Sequence, residues 1–137
     1  MKKHQVIIAV GSNIEPERHV SEAGRILEAE QRLIGRSAFR RTTPVGFTDQ
    51  ADFLNGAFLI ETDLDPVALK AYLKEVEQRL GRVRGPIRSG PRTIDLDITV
   101  WDGQIVHEDY HAHSHTRIPV DELLHRFQIS VASESES

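Results

Sequence analysis

The chain contains no cysteine among its 137 residues, and this absence excludes several classes of site. Without thiols there is no disulfide framework, no thiolate zinc site, no iron–sulfur cluster and no cysteine nucleophile. Long apolar runs are also missing, since the longest one, Val6–Val10, is far too short to cross a membrane. The same run follows two lysines but is too short for a secretory signal peptide. We therefore expect a cytoplasmic protein.

Aromatic residues are scarce as well, and the chain has no net positive charge. Aromatic side chains make up only 6% of the chain, and the formal net charge is −4. RNA-recognition sheets carry paired aromatic residues and nucleic-acid binders are usually basic, so we expect no nucleic-acid partner. Because no apolar run is long enough to cross a membrane, we expect no membrane partner either. The length fits one domain, expected over residues 1–132, in a monomer. The Ser/Glu alternation of residues 133–137 predicts a disordered tail.

The hydrophobic pattern alternates between strand spacing and helix spacing along the chain. Strands are predicted at Val6–Val10, Ser37–Thr42, Phe53–Thr62 and Ile94–Trp101. A period of 3.6 residues predicts helices from about Pro16 to Gln31 and from Pro66 to Leu80. This order of strand, helix, strand, strand, helix, strand predicts an α/β fold, an α+β sandwich with a ferredoxin-like βαββαβ core.

Helix ends and a short C-terminal extension can also be predicted from the sequence. Ser12 or Asn13 is expected to cap the first helix, and Asp65 to cap the second. After the last core strand, the Asp102-Gly103 turn predicts a short returning strand at residues 104–106. Residues 119–127 predict one more short helix.

Two aspartates lie two residues apart on the predicted final strand. Asp95 and Asp97 therefore point to one face of the strand, while Ile94, Leu96 and Ile98 point to the core. Neighbouring carboxylates repel each other unless they are solvated, paired with cations or bridged by metal. Mg²⁺ commonly takes one or two protein carboxylates together with substrate phosphates. The pair indicates either a magnesium site or an exposed polar face neutralised by basic side chains.

An arginine-rich loop directly precedes this pair. Guanidinium groups suit phosphate oxygens, and a loop rich in Gly and Pro can close over a ligand. Cations beside paired carboxylates are the combination that magnesium–polyphosphate chemistry uses. The alternative is a solvated basic loop that pairs internally with the two aspartates. The arginines of this run are Arg79, Arg82, Arg84, Arg88 and Arg92.

An aromatic ring and an amide share a face of another predicted strand. Phe53 and Asn55 are two residues apart, so the ring could stack on a flat heterocycle while the amide reads its hydrogen-bonding edge. A core phenylalanine and a turn asparagine are the alternative interpretation.

Several segments together resemble the 6-hydroxymethyl-7,8-dihydropterin pyrophosphokinase family. The most specific is Gly90–Ile98, with the sequence GPRTIDLDI. The other matching segments are Val10–Asn13, Arg41–Gly46, Asp49–Asn55 and Glu77–Val83. The similarity extends over residues 5 to about 106.

The resemblance implies transfer of pyrophosphate from ATP to the hydroxymethyl group of a reduced pterin, with release of AMP, in folate biosynthesis. It implies ATP as co-substrate and two Mg²⁺ ions held by Asp95 and Asp97. The implied catalytic residues are Arg82, Arg92, Asp95 and Asp97. The implied nucleotide-binding residues are Glu77, Arg82, Arg84, Arg92 and Ile98. The implied pterin-binding residues are Gly11, Ser12, Thr42, Pro44, Val45, Phe53 and Asn55.

After residue 106 the family pattern fits less well, and alternatives stay open. The family usually carries a Pro-His motif followed by an Arg and a Phe. One alternative matches this pattern to Pro119, Arg126 and Phe127. The other is a shifted loop in which His113, His115 and Arg117 contact the nucleotide. If residues 111–115 were extended, three imidazoles would share a face and could bind a transition metal. A solvated loop carrying His107, His111, His113 and His115 is the simpler interpretation.

The chain is shorter than members of the family commonly are, which leaves an alternative function. A divergent paralogue would bind a reduced pterin with little or no pyrophosphokinase activity.

Overall fold

A computed structural model describes residues 3–46, 48–81 and 93–132 of the chain. Its strands are β1 (His4–Ser12), β2 (Arg32–Arg36), β3 (Arg40–Thr42), β4 (Phe53–Thr62), β5 (Asp95–Trp101) and β6 (Gln104–Ile105). Its helices are α1 (Pro16–Glu30), α2 (Pro66–Arg79), α3 (Asp109–Ala112) and α4 (Ser114–Arg126). No helix within these ranges is long and apolar enough to cross a membrane.

The strands form one sheet in the order β2-β4-β1-β5-β6, with β3 also paired to β4. β1 lies at the centre and runs antiparallel to both β4 and β5. β4 lies between β1 and β2, which is the arrangement of a split βαβ unit. The predicted α/β fold with a ferredoxin-like core is therefore confirmed, with the apolar run Val6–Val10 in the central strand.

Alternating side chains of β1 pack into two different hydrophobic cores, one on each face of the sheet. Val6, Ile8 and Val10 are buried with residues of α1 and α2 on one face of the sheet. Ile7 points to the other face, where it packs with residues of α4 such as Leu123. This alternation follows from the two-residue period of a strand, and it separates the face covered by α1 and α2 from the α4 face, which carries the site.

The start of α2 follows its sequence signals, whereas the start of α1 does not. Asp65 accepts a hydrogen bond from the Ala68 N–H at 2.8 Å, which confirms the predicted cap. The cap residue of α1 is instead Glu15, in a left-handed conformation (φ 41°) and without a side-chain cap bond. The prediction for Ser12 and Asn13 was wrong because both side chains bond to other segments.

Of the predicted edge strand at residues 37–42, only residues 40–42 form a strand, and a further strand, β2, precedes it. β2 ends at Arg36 and β3 begins at Arg40. Between them the Ser37 hydroxyl accepts the Ala57 N–H at 2.7 Å, so a side chain takes over part of the strand pairing. Sequence spacing did not predict β2, because Leu33 also fits the helical period of α1.

The C-terminal segment is more helical than expected. Asp102 and Gly103 both have positive φ (46° and 79°), as in the type I′ hairpin turn that the sequence predicted. α4 begins at Ser114, five residues before the predicted start at Pro119, which lies inside the helix. Residues 109–112 are helical too, so the extended arrangement of three imidazoles was wrong. The tail predicted at residues 133–137 lies outside the described residues.

Candidate active site

Small side chains on β1 open a cavity on the α4 face of the sheet. Along this face the residues decrease in size from Ile7, which is buried beneath α4, to Ala9 and Gly11. The cavity above them has a volume of about 230 Å³. It is lined by Ala9, Val10, Gly11, Thr42, Thr43, Val45, Phe53, Asn55, Gly56, Asp95, Asp97, Asp109, His113, His115 and Thr116.

Strand register places different chemistry at the two ends of this cavity. Gly11 pairs with Asn55 of β4 on one side and with Asp95 of β5 on the other. Ala9 lies one row further along and pairs with Asp97. Neighbouring strands are roughly 4.8 Å apart, so the backbones at Asn55 and Asp95 are separated by about 10 Å. We call the end of the cavity at Asn55 the amide end, and the end at Asp95 and Asp97 the carboxylate end.

The amide end is built around Asn55. Its Nδ2 donates a short hydrogen bond to the Thr42 hydroxyl of the neighbouring strand β3. A methyl group on Gly11 would lie 2.8 Å from the Asn55 Oδ1, so only glycine leaves room for the amide. Phe53 lies two residues before Asn55 on the same strand and also lines the cavity. Val45 lies at the rim with its side chain exposed.

The carboxylate end is unfavourable for two negative charges without a cation. The pKa of Asp97 is raised from 3.8 to about 6. Burial is the larger cause, and repulsion from the neighbouring Asp95 is the second. Glu77 and Asp109 raise this pKa further, whereas His107 lowers it. A bound cation would remove the repulsion. The carboxylate pair is therefore a candidate cation site.

Asp109, His113 and His115, here called the histidine wall, line the same cavity as the two carboxylates. The rings of His113 and His115 stack with their centroids 5.0 Å apart. Asp109 Oδ1 lies 3.9 Å from His113 Nε2, and Asp109 Oδ2 lies 3.7 Å from His107 Nδ1. Burial and the neighbouring His113 lower the pKa of His115, which favours a neutral ring near pH 7. The solvated loop expected here is therefore wrong for His113 and His115.

The carboxylate oxygens of Asp95 and Asp97 suit magnesium better than a transition metal. Within the described ranges, no group of three or more His, Asp or Glu side chains is arranged to hold a metal ion by itself. Magnesium keeps several waters and takes one or two carboxylates plus substrate phosphates. Asp95 and Asp97, which line one cavity, fit that requirement.

Most of the predicted pterin residues and both metal residues meet in this cavity. Gly11, Thr42, Val45, Phe53, Asn55, Asp95 and Asp97 all line it. The predicted residues Arg82, Arg84 and Arg92 lie outside the described residues. The role of each residue stays a prediction.

Four other predicted residues are described but do not line the cavity. Ser12 and Pro44 are buried, and Ile98 packs against the core beneath α1 and α2. Glu77 is only 5% exposed, and its carboxylate accepts the Leu96 N–H at 2.7 Å. Pterin contacts by Ser12 and Pro44, and nucleotide contacts by Glu77 and Ile98, remain predictions.

Sequence reasoning missed several lining residues: Ala9, Val10, Thr43, Gly56, Asp109 and Thr116. The decrease in size from Ile7 to Ala9 to Gly11 at every second position of β1 was a usable signal for the floor. No comparable signal marked Asp109, because its position depends on the break between α3 and α4.

Comparison with known proteins places residues 7–125 within a family model described as 7,8-dihydro-6-hydroxymethylpterin-pyrophosphokinase. The chain is 38% identical over 114 residues to 2-amino-4-hydroxy-6-hydroxymethyldihydropteridine pyrophosphokinase of Bacillus subtilis, covering 81% of this chain and 68% of that protein. The protein of the same name from Haemophilus influenzae is 33% identical, over 85% and 79% of the two chains. The mitochondrial folate synthesis bifunctional protein of Pisum sativum is 40% identical, over 83% of this chain and 22% of its own.

Proposed function

Because the chain belongs to the 7,8-dihydro-6-hydroxymethylpterin-pyrophosphokinase family, we propose that it transfers pyrophosphate from ATP to the hydroxymethyl group of 6-hydroxymethyl-7,8-dihydropterin. AMP is the second product, and the reaction belongs to folate biosynthesis. The observation that carries this proposal is the two-ended cavity, in which Asn55, Gly11 and Asp95 form one row across three strands. A pterin-only paralogue is not favoured, because the family match includes both ends of this cavity.

The amide end suits the pterin ring. Phe53 offers an aromatic face for stacking, and Asn55 offers an amide for the hydrogen-bonding edge of the heterocycle. The bond from Asn55 to Thr42 fixes the amide before any ligand arrives, which limits the entropy lost on binding. Val45 at the rim completes this end.

The carboxylate end suits the metal and the phosphates. Asp95 and Asp97 would hold two Mg²⁺ ions together with ATP oxygens, and Mg²⁺ neutralises charge on the transferred group. Arg82, Arg84 and Arg92 are proposed to bind the triphosphate, with Arg82 and Arg92 stabilising the transition state. His113 and His115 line the same cavity as the carboxylates and are proposed to face the nucleotide.

The proposed chemistry is mainly positioning and charge neutralisation. The pterin hydroxyl oxygen forms a bond to the β-phosphorus, and the bond from that phosphorus to the oxygen bridging to the α-phosphorus breaks. AMP leaves with the bridging oxygen, and the proton of the pterin hydroxyl is released to water. The row from Asn55 to Asp95 would hold the ring at one end and direct its hydroxymethyl arm toward the phosphates.

The test measures AMP formed from ATP, Mg²⁺ and 6-hydroxymethyl-7,8-dihydropterin, against a reaction without pterin. We expect pterin-dependent AMP from the wild-type chain and none from Asp95→Ala, with pterin binding unchanged in the variant. Asp63→Ala is the matched control, because Asp63 forms only a surface ion pair with Lys3. Full activity in Asp95→Ala would contradict the proposed mechanism. Cytoplasmic location and a monomeric state stay predictions.

A further inference from the structure

We propose that Ser12 and Glu77 are positioning residues that hold the start of β5 from two sides and so direct the Asp95 carboxylate. This inference rests on the proposed function, because it concerns the strand that carries the metal carboxylates. Neither side chain lines the cavity, and each bonds to the backbone near Asp95.

Ser12 forms the first anchor. Its side chain is fully buried at the end of β1, and its hydroxyl donates to the Thr93 carbonyl at 2.5 Å. Thr93 lies two residues before Asp95, and its own hydroxyl lies 3.5 Å from the Gly81 carbonyl. The segment that leads into β5 is thus tied to the central strand by a partly buried hydrogen bond.

Glu77 forms the second anchor, from α2. Its Oε2 accepts the N–H of Leu96, the residue directly after Asp95, at 2.7 Å. In the described part of the sheet, β6 pairs only with Val100 and Trp101, so it does not reach the edge of β5 at Leu96. The carboxylate therefore acts there as the hydrogen-bond acceptor that a neighbouring strand would otherwise provide. Charge-assisted bonds of this kind are short and strong.

The two anchors bracket Asp95 along the chain. One restrains the backbone at residue 93 and the other at residue 96, while Gly11 pairs with Asp95 itself. A catalytic group displaced by about 1 Å can lose roughly a hundredfold in rate. Loss of an anchor should therefore reduce turnover more than substrate binding.

Exchange of the Leu96 amide proton tests the Glu77 anchor without any turnover. We expect Glu77→Leu to accelerate this exchange about tenfold or more relative to the Leu59 amide in β4, since a bond to a charged group is lost. Glu77→Gln keeps an acceptor oxygen and should retain most of the protection. Glu75→Leu, an exposed position on the same helix, is the matched control. Unchanged Leu96 exchange in Glu77→Leu would overturn the anchor.

Steady-state kinetics then separate positioning from nucleotide contact. For Glu77→Leu we expect kcat to fall about tenfold or more, with KM for ATP and the Kd for pterin changed by less than about threefold. A higher KM for ATP with unchanged kcat would assign Glu77 to nucleotide binding and overturn positioning. Absence of AMP formation by the wild-type chain would instead refute the proposed function, and Leu96 exchange would still decide the anchor.

Ser12→Ala tests the other anchor. It also provides a second test of the proposal if the Glu77→Leu variant does not fold. We expect the same signature, a lower kcat with unchanged pterin affinity. Ser37→Ala is its control, because that hydroxyl is also buried and bonded to the backbone, here by accepting the Ala57 N–H, but lies away from β5. Weaker pterin binding with unchanged kcat in Ser12→Ala would make Ser12 a pterin contact and overturn its positioning role.

Discussion

Asn55 and Asp95 occupy the same row of the sheet, one on each side of Gly11 in the central strand. Because Gly11 has no side chain, nothing from β1 rises between the amide and the carboxylate. The cavity can therefore present ring-recognition groups and metal-binding groups to a single ligand.

Gly11→Ala should weaken pterin binding through Asn55. The added methyl group would lie 2.8 Å from the Asn55 Oδ1 and would push the amide away from Thr42. We expect a loss of about tenfold in pterin affinity, measured by calorimetry, since one oriented hydrogen bond is lost. In an Asn55→Ala background the same substitution should have little further effect. Equal losses in both backgrounds would show that Gly11 does not act through Asn55.

Asp97 should make the metal-free protein less stable as pH rises. Its pKa in the folded chain is raised to about 6 from 3.8, so its proton is held more tightly in the folded state than in the unfolded state. The stability linked to that proton is fully present below pH 3.8 and is lost as pH rises through about 6. In EDTA, Asp97→Asn should melt at a higher temperature than wild type at pH 8 but not at pH 4. The same difference at both pH values would contradict the raised pKa.

His115→Ala should raise KM for ATP. The ring lines the same cavity as Asp97 and stacks on His113, so its loss removes part of the lining that is proposed to face the nucleotide. We expect an increase of about tenfold, typical of one lost polar contact, with pterin affinity unchanged. His125→Ala, an exposed histidine on the same helix, is the control. An unchanged KM would remove His115 from the nucleotide site.

Asp65→Ala should lower stability without affecting the site. The carboxylate caps α2 by accepting the Ala68 N–H, and such caps contribute about 1 kcal/mol. Thermal or urea unfolding should show this loss while KM values at low temperature stay constant. Asp63→Ala, which removes only a surface ion pair, should cost less than about 0.5 kcal/mol. Similar losses in both variants would argue against the cap.

The parts of the fold that could be predicted from sequence are those set by local rules. Val6–Val10 is short, β-branched and central, and Asp65 with Pro66 marks the start of α2. β2 was missed because Leu33 fits both a helix and a strand pattern. The early start of α4 was missed because Pro119 usually marks the first turn of a helix, whereas here the tertiary packing of Val120 and Leu123 supports it in the interior.

The residues of the candidate site also divide into those that local sequence rules could predict and those that they could not. Residues two apart on one strand, such as Asp95 and Asp97, could be placed together from the sequence because strand side chains alternate. The tie from Ser12 to Thr93 could not, since it joins residues 81 positions apart. The wall formed by Asp109, His113 and His115 depends on the break at His113 between two helices, and no local pattern marks it.

Under the proposed function, the three-strand row would also limit the length of the substrate. Two strand spacings, about 10 Å, separate the backbone at Asn55 from the backbone at Asp95, and hydrogen-bonded strands do not stretch. A pterin whose hydroxyl arm is one carbon longer would keep its ring contacts but carry its oxygen past the phosphorus. Such a homologue should bind as an inhibitor without being consumed, so the register of the sheet selects the substrate by reach.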